Sequence, residues 1–172
     1  PIDLEKTSKI LVVGENAIKK MTVGGGSSSL KAQNECTPLI GLCEAVGDKA
    51  EVVYERGYVG DVTGEYNGVV TGQNLSESRS EDKLIADAVA AAKDADAVIF
   101  IGGLNKSAHQ DCEDSDRYGL ELPYAQDKAI EALAAVNPNL TVVIVSGNAV
   151  AMPWVDKVNG IVETWFLGSQ AG

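Results

Sequence analysis

At 172 residues the chain is long enough for one well-buried domain and short for two of ordinary size. Fourteen Lys and Arg against 25 Asp and Glu give a formal charge of −11, and no basic cluster offsets it, which argues against nucleic acid and anionic lipid as partners. The composition, 45% hydrophobic and 23% charged, is that of a globular protein without a membrane span, and three cysteines lacking ligand spacing imply neither a zinc site nor a disulfide framework.

The first apolar run, KILVVG at 9–14, is β-branched and closed by glycine, as expected of a central strand buried on both faces. A Gly/Ser run at 24–29 follows. It lacks the Gly-Lys-Ser/Thr ending of a phosphate loop and does not join strand directly to helix, so it reads as a loop passing close to a neighbouring surface. Thr37-Pro38 starts a helix, with Thr as N-cap and Pro in the first turn. Leu39, Ile40, Cys43 and Val46 recur at helical spacing, which places Cys43 in the core, and Gly47 ends the helix. A second strand is expected at 50–54. The stretch 58–80, rich in Gly, Ser, Asn and Thr, reads as a surface insertion with a small hairpin around Asn67-Gly68.

Residues 81–95 form an amphipathic helix, with Leu84, Ile85, Ala88, Val89 and Ala92 on one face. The third strand occupies 97–101, a helix runs from Pro123 to Val136, the fourth strand spans 140–145, a short helical piece lies near Trp154, and a fifth strand covers 160–166. Strands alternating with helices argue for a three-layer α/β/α sandwich on a mostly parallel sheet of five or six strands. Ligands of such sheets sit at the C-terminal ends of the strands. Both ends of the chain look cut from a longer polypeptide, since no signal peptide precedes Pro1 and GSQAG at 168–172 directly follows a strand.

The stretch the chemistry centres on lies between Gly103 and Pro123, a long acidic loop with no periodic apolar pattern. It holds Asp111, Glu113, Asp114, Asp116 and Glu121 together with Lys106, Arg117 and the only histidine, His109. Long loops at strand ends carry function more often than their length alone requires, though most of these carboxylates would simply face water. His109 is a candidate sugar ligand at the rim or a solvated loop histidine. Trp154 and Trp165 are candidates for stacking on a sugar or for core and interface packing.

The order of motifs resembles the second, α/β-sandwich domain of glycoside hydrolase family 3, the family of retaining β-glucosidases and β-xylosidases. The resemblance rests on KILVVGEN at 9–16, GGGSS at 24–28 with Thr37-Pro38-Leu39, Glu113-x-x-Asp116-Arg117 after a strand ending in GGLN, LELPYAQ at 120–126, VSGN at 145–148 with MPW at 152–154, and ETWF at 163–166. It implies a two-carboxylate retaining mechanism with no cofactor, acting on an oligosaccharide or β-glycoside. The aspartate nucleophile is then carried by a preceding (β/α)8-barrel domain of the same polypeptide, and nothing in this chain matches its motif. The resemblance puts the acid/base at Glu113. Asp116 and Arg117 are expected to pair or bond within the loop and fix its path, and Asp114 and His109 to lie near substrate. The family often has glycine where this chain has Asp114, which leaves Asp111 and Asp114 open as alternatives. A periplasmic or secreted location is favoured by the same resemblance. The competing readings are a non-catalytic carbohydrate-binding or interaction module and, against the missing phosphate fingerprint, a nucleotide- or flavin-binding domain.

Overall fold

The structure, a computed structural model, describes residues 2–22, 30, 32–60, 65, 66, 69–113 and 115–172. In chain order the elements are β1 (Lys9–Val13), α1 (Pro38–Val46), β2 (Glu51–Glu55), β3 (Glu65–Tyr66), β4 (Val69–Val70), α2 (Glu81–Lys93), β5 (Ala97–Gly103), α3 (Gln126–Ala134), β6 (Leu140–Val145) and β7 (Gly160–Glu163). Five strands form one all-parallel sheet in the order β2-β1-β5-β6-β7. The fold is a three-layer α/β sandwich.

Burial explains the composition of the strands. Leu11, Val13, Val98, Phe100, Val142 and Ile144 face α2 and α3 and pack with Ile85, Ala88, Ile130 and Leu133, whereas Ile10, Val12, Ile101 and Val145 face the opposite side and meet Leu39, Leu42 and Val46 of α1. A strand covered on both sides has no face left for polar residues, which is why β1 and β5 read as continuous apolar runs. Gly14 ends β1 at φ 122°, and a Cβ there would lie 2.0 Å from the Ile101 carbonyl oxygen, so the close pass of β1 against β5 admits only glycine.

Three elements differ from the sequence expectation. The first is α1, whose rotation is not the one the apolar spacing suggests: Leu39 and Leu42 pack on the core, while Ile40 and Cys43 are exposed. Cys43 is therefore not a core residue. Gly41 sets the rotation, because its Cα side lies against the main chain at Gly172, where a Cβ would sit 2.1 Å from the carbonyl oxygen. The second is α3, which starts at Gln126 and not at Pro123, because Tyr124 takes a left-handed φ of 62° that a helix cannot run through. The Tyr124 ring lies parallel to that of Tyr58, with centroids 6.2 Å apart, and tertiary contact overrides local propensity there. The third is the last strand, which stops at Glu163; Trp165 has φ 57° and turns the chain away from the sheet.

Within 58–80, Tyr58 and Leu75 are buried, so these two positions belong to the core and not to the surface. β3 and β4 pair antiparallel on either side of residues 67 and 68. The Gly/Ser run at 24–29, Asn67-Gly68, where the sequence suggests a hairpin turn, and Asp114 lie outside the described residues. The two tryptophans part company: Trp154 is fully buried and donates from Nε1 to Asp127 at 2.7 Å, whereas Trp165 is 66% exposed. Among the described residues no helix is long and apolar enough to cross a membrane.

Candidate active site

β5 ends at the Gly102-Gly103 pair, where the chain must leave the sheet with no room for side chains. A Cβ on Gly102 would meet Gln126 Oε1 at 2.3 Å. Gln126, fully buried on the first turn of α3, fills that space and acts as a clamp. Its Oε1 accepts from Gly103 N–H at 2.7 Å, and its Nε2 donates to the Gly103 and Pro123 carbonyls at 2.8 and 3.0 Å. Both ends of the long acidic loop are thereby tied to one side chain.

The loop is pinned at three further points. Buried Gln110 accepts from Asn105 N–H at 2.9 Å and donates to Tyr124 Oη at 2.7 Å, which closes an inner turn and joins it to the aromatic pair of Tyr124 and Tyr58. Asp111 spends both carboxylate oxygens on the turn after β6, accepting from Gly147 N–H at 2.6 Å and from Asn148 Nδ2. Arg117 donates to the main-chain carbonyls of Ala149 at 2.6 Å and Glu121 at 3.2 Å, so its partners are backbone and not Asp116. Between loop and turn opens a cleft with a volume of about 440 Å³, lined by Lys106, Asp111, Cys112, Glu113, Asp116, Arg117, Asn148 and Phe166, among others.

Of the five residues singled out from the sequence, Glu113, Asp116 and Arg117 come together in this cleft, with Glu113 and Asp116 exposed. Asp114 lies outside the described residues. His109 lines not this cleft but a neighbouring hollow of about 240 Å³, with Tyr118, Glu121 and Leu122. Its ring stacks on Tyr118 with centroids 4.2 Å apart; Nε2 is 2.8 Å from Tyr118 Oη and Nδ1 is 2.9 Å from the Asp116 carbonyl.

Sequence reading missed the charged cluster that supports this edge of the sheet. Glu15, just past β1, is buried and accepts from Lys19 Nζ at 2.9 Å, Arg56 Nη2 at 2.7 Å and Gly60 N–H at 2.7 Å. The Glu15 to Lys19 spacing of four was the one available signal, since such pairs meet on a helical turn. Tyr54, beside the cluster, has its phenol pushed well above the ordinary value by burial, with Arg56 acting in the opposite direction. Among the described residues no group of three or more His, Cys, Asp and Glu is arranged to hold a metal ion.

The sequence profile of the glycosyl hydrolase family 3 C-terminal domain matches residues 1–172. The chain belongs to glycosyl hydrolase family 3. A β-glucosidase of Bacteroides ovatus is 46% identical over the whole of this family 3 domain, which covers 22% of that protein, and a periplasmic β-glucosidase of Salmonella typhimurium is 34% identical over 99% of the domain and 23% of its own length. The domain thus spans about a fifth to a quarter of the length of these curated relatives. Among solved structures, a family 3 β-glucosidase of Bifidobacterium adolescentis superimposes with a TM-score of 0.74 at 30% identity, over 96% of this domain and 21% of that chain. A β-glucosidase of Kluyveromyces marxianus in complex with glucose reaches a TM-score of 0.84 over the whole domain and 36% of that chain, at 18% identity, a likeness of fold.

Proposed function

We propose that this family 3 domain carries the acid/base of a retaining, exo-acting β-glycosidase of β-glucosidase or β-xylosidase type, that the acid/base is Glu113, and that the aspartate nucleophile stands on a (β/α)8-barrel domain of the same polypeptide. The observation that carries the reading is the division of labour among the loop carboxylates. Asp111 has both oxygens occupied by Gly147 and Asn148, whereas Glu113 is exposed in the cleft at the C-terminal edge of the sheet, where ligands of parallel sheets bind.

The chemistry follows from that placement. The nucleophile attacks the anomeric carbon from one side while the carboxyl of Glu113 gives its proton to the departing oxygen, so the glycosidic bond breaks without a free alkoxide. Glu113, now a carboxylate, takes a proton from water, which attacks the glycosyl-enzyme and frees the nucleophile. A carboxyl that acts as an acid near neutral pH needs a dry or negatively charged site, and a strand-end loop facing a second domain acquires one when the two domains enclose substrate. Arg117 and Asp111 hold the loop's course with hydrogen bonds to the 147–149 segment, and Glu113 stands in the cleft that the loop borders.

The test uses the full-length enzyme. Glu113→Gln should lower kcat/KM about 10²- to 10⁴-fold on a disaccharide, whose leaving group needs protonation, and far less for formation of the glycosyl-enzyme from a dinitrophenyl glycoside. Azide, which needs no general base, should restore part of the dinitrophenyl turnover as the glycosyl azide. The chain without the barrel should turn over neither substrate. Disaccharide turnover equal to wild type in Glu113→Gln would refute the assignment.

A further inference from the structure

The cleft holds a cation that the acid/base mechanism does not use. Lys106 Nζ lies 3.5 Å from the centroid of the Phe166 ring, within the reach of a cation–π contact. Its neighbour Asp111 accepts from Gly147 and Asn148, and no ion pair or hydrogen bond joins it to the Lys106 ammonium. Among the described residues Lys106 makes no ion pair and no hydrogen bond. Partial burial disfavours its charged form and lowers its pKa, an effect that Asp111 and then Cys112 oppose. Phe166 supports it from below: the half-buried ring packs against the α1-side core and over Gly147, where a Cβ would sit 3.4 Å from the ring edge.

A half-desolvated ammonium with unused donors has lost part of its water without a replacement, and a ligand hydroxyl or carboxylate is the group that supplies one. Its position selects the part of the ligand. An acid/base carboxyl stands beside the departing oxygen, opposite the nucleophile, so side chains sharing a cleft with Glu113 border the leaving group and not the far face of the reacting sugar. We propose that Lys106, seated on Phe166, donates hydrogen bonds to the hydroxyl groups of the leaving sugar, and that this makes the site favour glycosides whose leaving group is itself a sugar over those with an apolar aryl group. The inference rests on the Glu113 reading. It extends to the reverse direction, since a sugar that accepts the glycosyl group occupies the same place.

In the full-length enzyme, Lys106→Met keeps the aliphatic stem over Phe166 and removes the donors. The ratio of kcat/KM on a disaccharide to kcat/KM on the corresponding nitrophenyl glycoside should fall roughly 10- to 100-fold, the size expected for loss of a hydrogen bond to a charged group. Partition of the glycosyl-enzyme between glucose and methanol as acceptors should shift toward methanol by a similar factor. Phe166→Leu, which keeps an apolar side chain but withdraws the ring, should move both ratios in the same direction. A disaccharide to nitrophenyl ratio within about threefold of wild type in Lys106→Met overturns the proposal, because a charged hydrogen bond is worth more than that. Glu113→Gln run in parallel separates the two claims: full disaccharide turnover there removes the premise and overturns both, whereas the expected loss there with an unchanged ratio in Lys106→Met overturns the leaving-group role alone.

Discussion

Glu15→Gln removes the carboxylate from a cluster buried beneath the loop-bearing edge of the sheet, the one negative charge there among the described residues. The Glu15 side chain is 1% exposed, Lys19 is 0% and Arg56 7%, and the carboxylate accepts hydrogen bonds from both cations and from Gly60 N–H. Glutamine keeps a single acceptor oxygen, turns an NH₂ donor toward one of the cations, and leaves two buried positive charges facing a neutral amide. Removing one partner from a buried ion pair costs about 3–5 kcal/mol, because the remaining charge is far from water. For a domain of this size each kcal/mol moves the unfolding midpoint by about 2–4 °C, so the drop should be on the order of 6–20 °C. Urea and thermal unfolding of wild type and variant under matched conditions measure it. The difference should persist at high salt, since buried pairs are screened little. Glu15→Gln combined with Lys19→Met, which withdraws one of the two buried positive charges, should recover a substantial part of the loss. A single-variant cost below about 1 kcal/mol, the range of surface pairs, would refute the view that this cluster holds the edge together.

Gln126→Ala deletes three hydrogen bonds that tie Gly103 and Pro123 together, and should cost about 2–4 kcal/mol in urea unfolding while making residues 104–123 the first site of limited proteolysis; cleavage at the wild-type rate would count against the clamp. Arg117→Lys replaces the two guanidinium nitrogens that bond the Ala149 and Glu121 carbonyls with a single ammonium that lacks the planar fork, so full-length activity should fall moderately, about 3- to 10-fold, with the midpoint of unfolding nearly unchanged. Unaltered kinetics would show that the loop keeps its course without the fork. Glu77 offers a pH test: hydrogen bonds from the Arg79 side chain and then its backbone N–H hold the carboxyl at about 2, below its ordinary 4.5. A depressed pKa stabilises the fold fully above the ordinary value and loses that contribution as pH falls through the folded one. The thermal midpoints of wild type and Glu77→Gln should therefore converge as pH drops from about 4.5 to about 2, and a constant gap across that window would contradict the assignment.

What the sequence could determine alone was whatever depends on near neighbours. The apolar runs of β1, β5 and β6 and the periodicity of α2 specify strands buried on both faces and a helix buried on one, because alternation and helical spacing act within a few residues. The order of short motifs from KILVVG to ETWF pointed to the family by the same means, each motif being weak and their succession specific. Tertiary structure decided everything that needs partners from far along the chain. α1 turns Cys43 outward because Gly41 meets the main chain at Gly172, and Tyr124 leaves the helical region where its ring meets Tyr58. Glu15 finds Arg56 41 positions away, and Asp111 finds Gly147 and Asn148 36 and 37 positions away. A carboxylate's role follows from which donors surround it, and that is a property of the packed sheet edge: in the sequence Asp111 and Glu113 are two acids in one loop, and in the fold both line the cleft, Asp111 held against the 147–148 turn by its hydrogen bonds and Glu113 exposed.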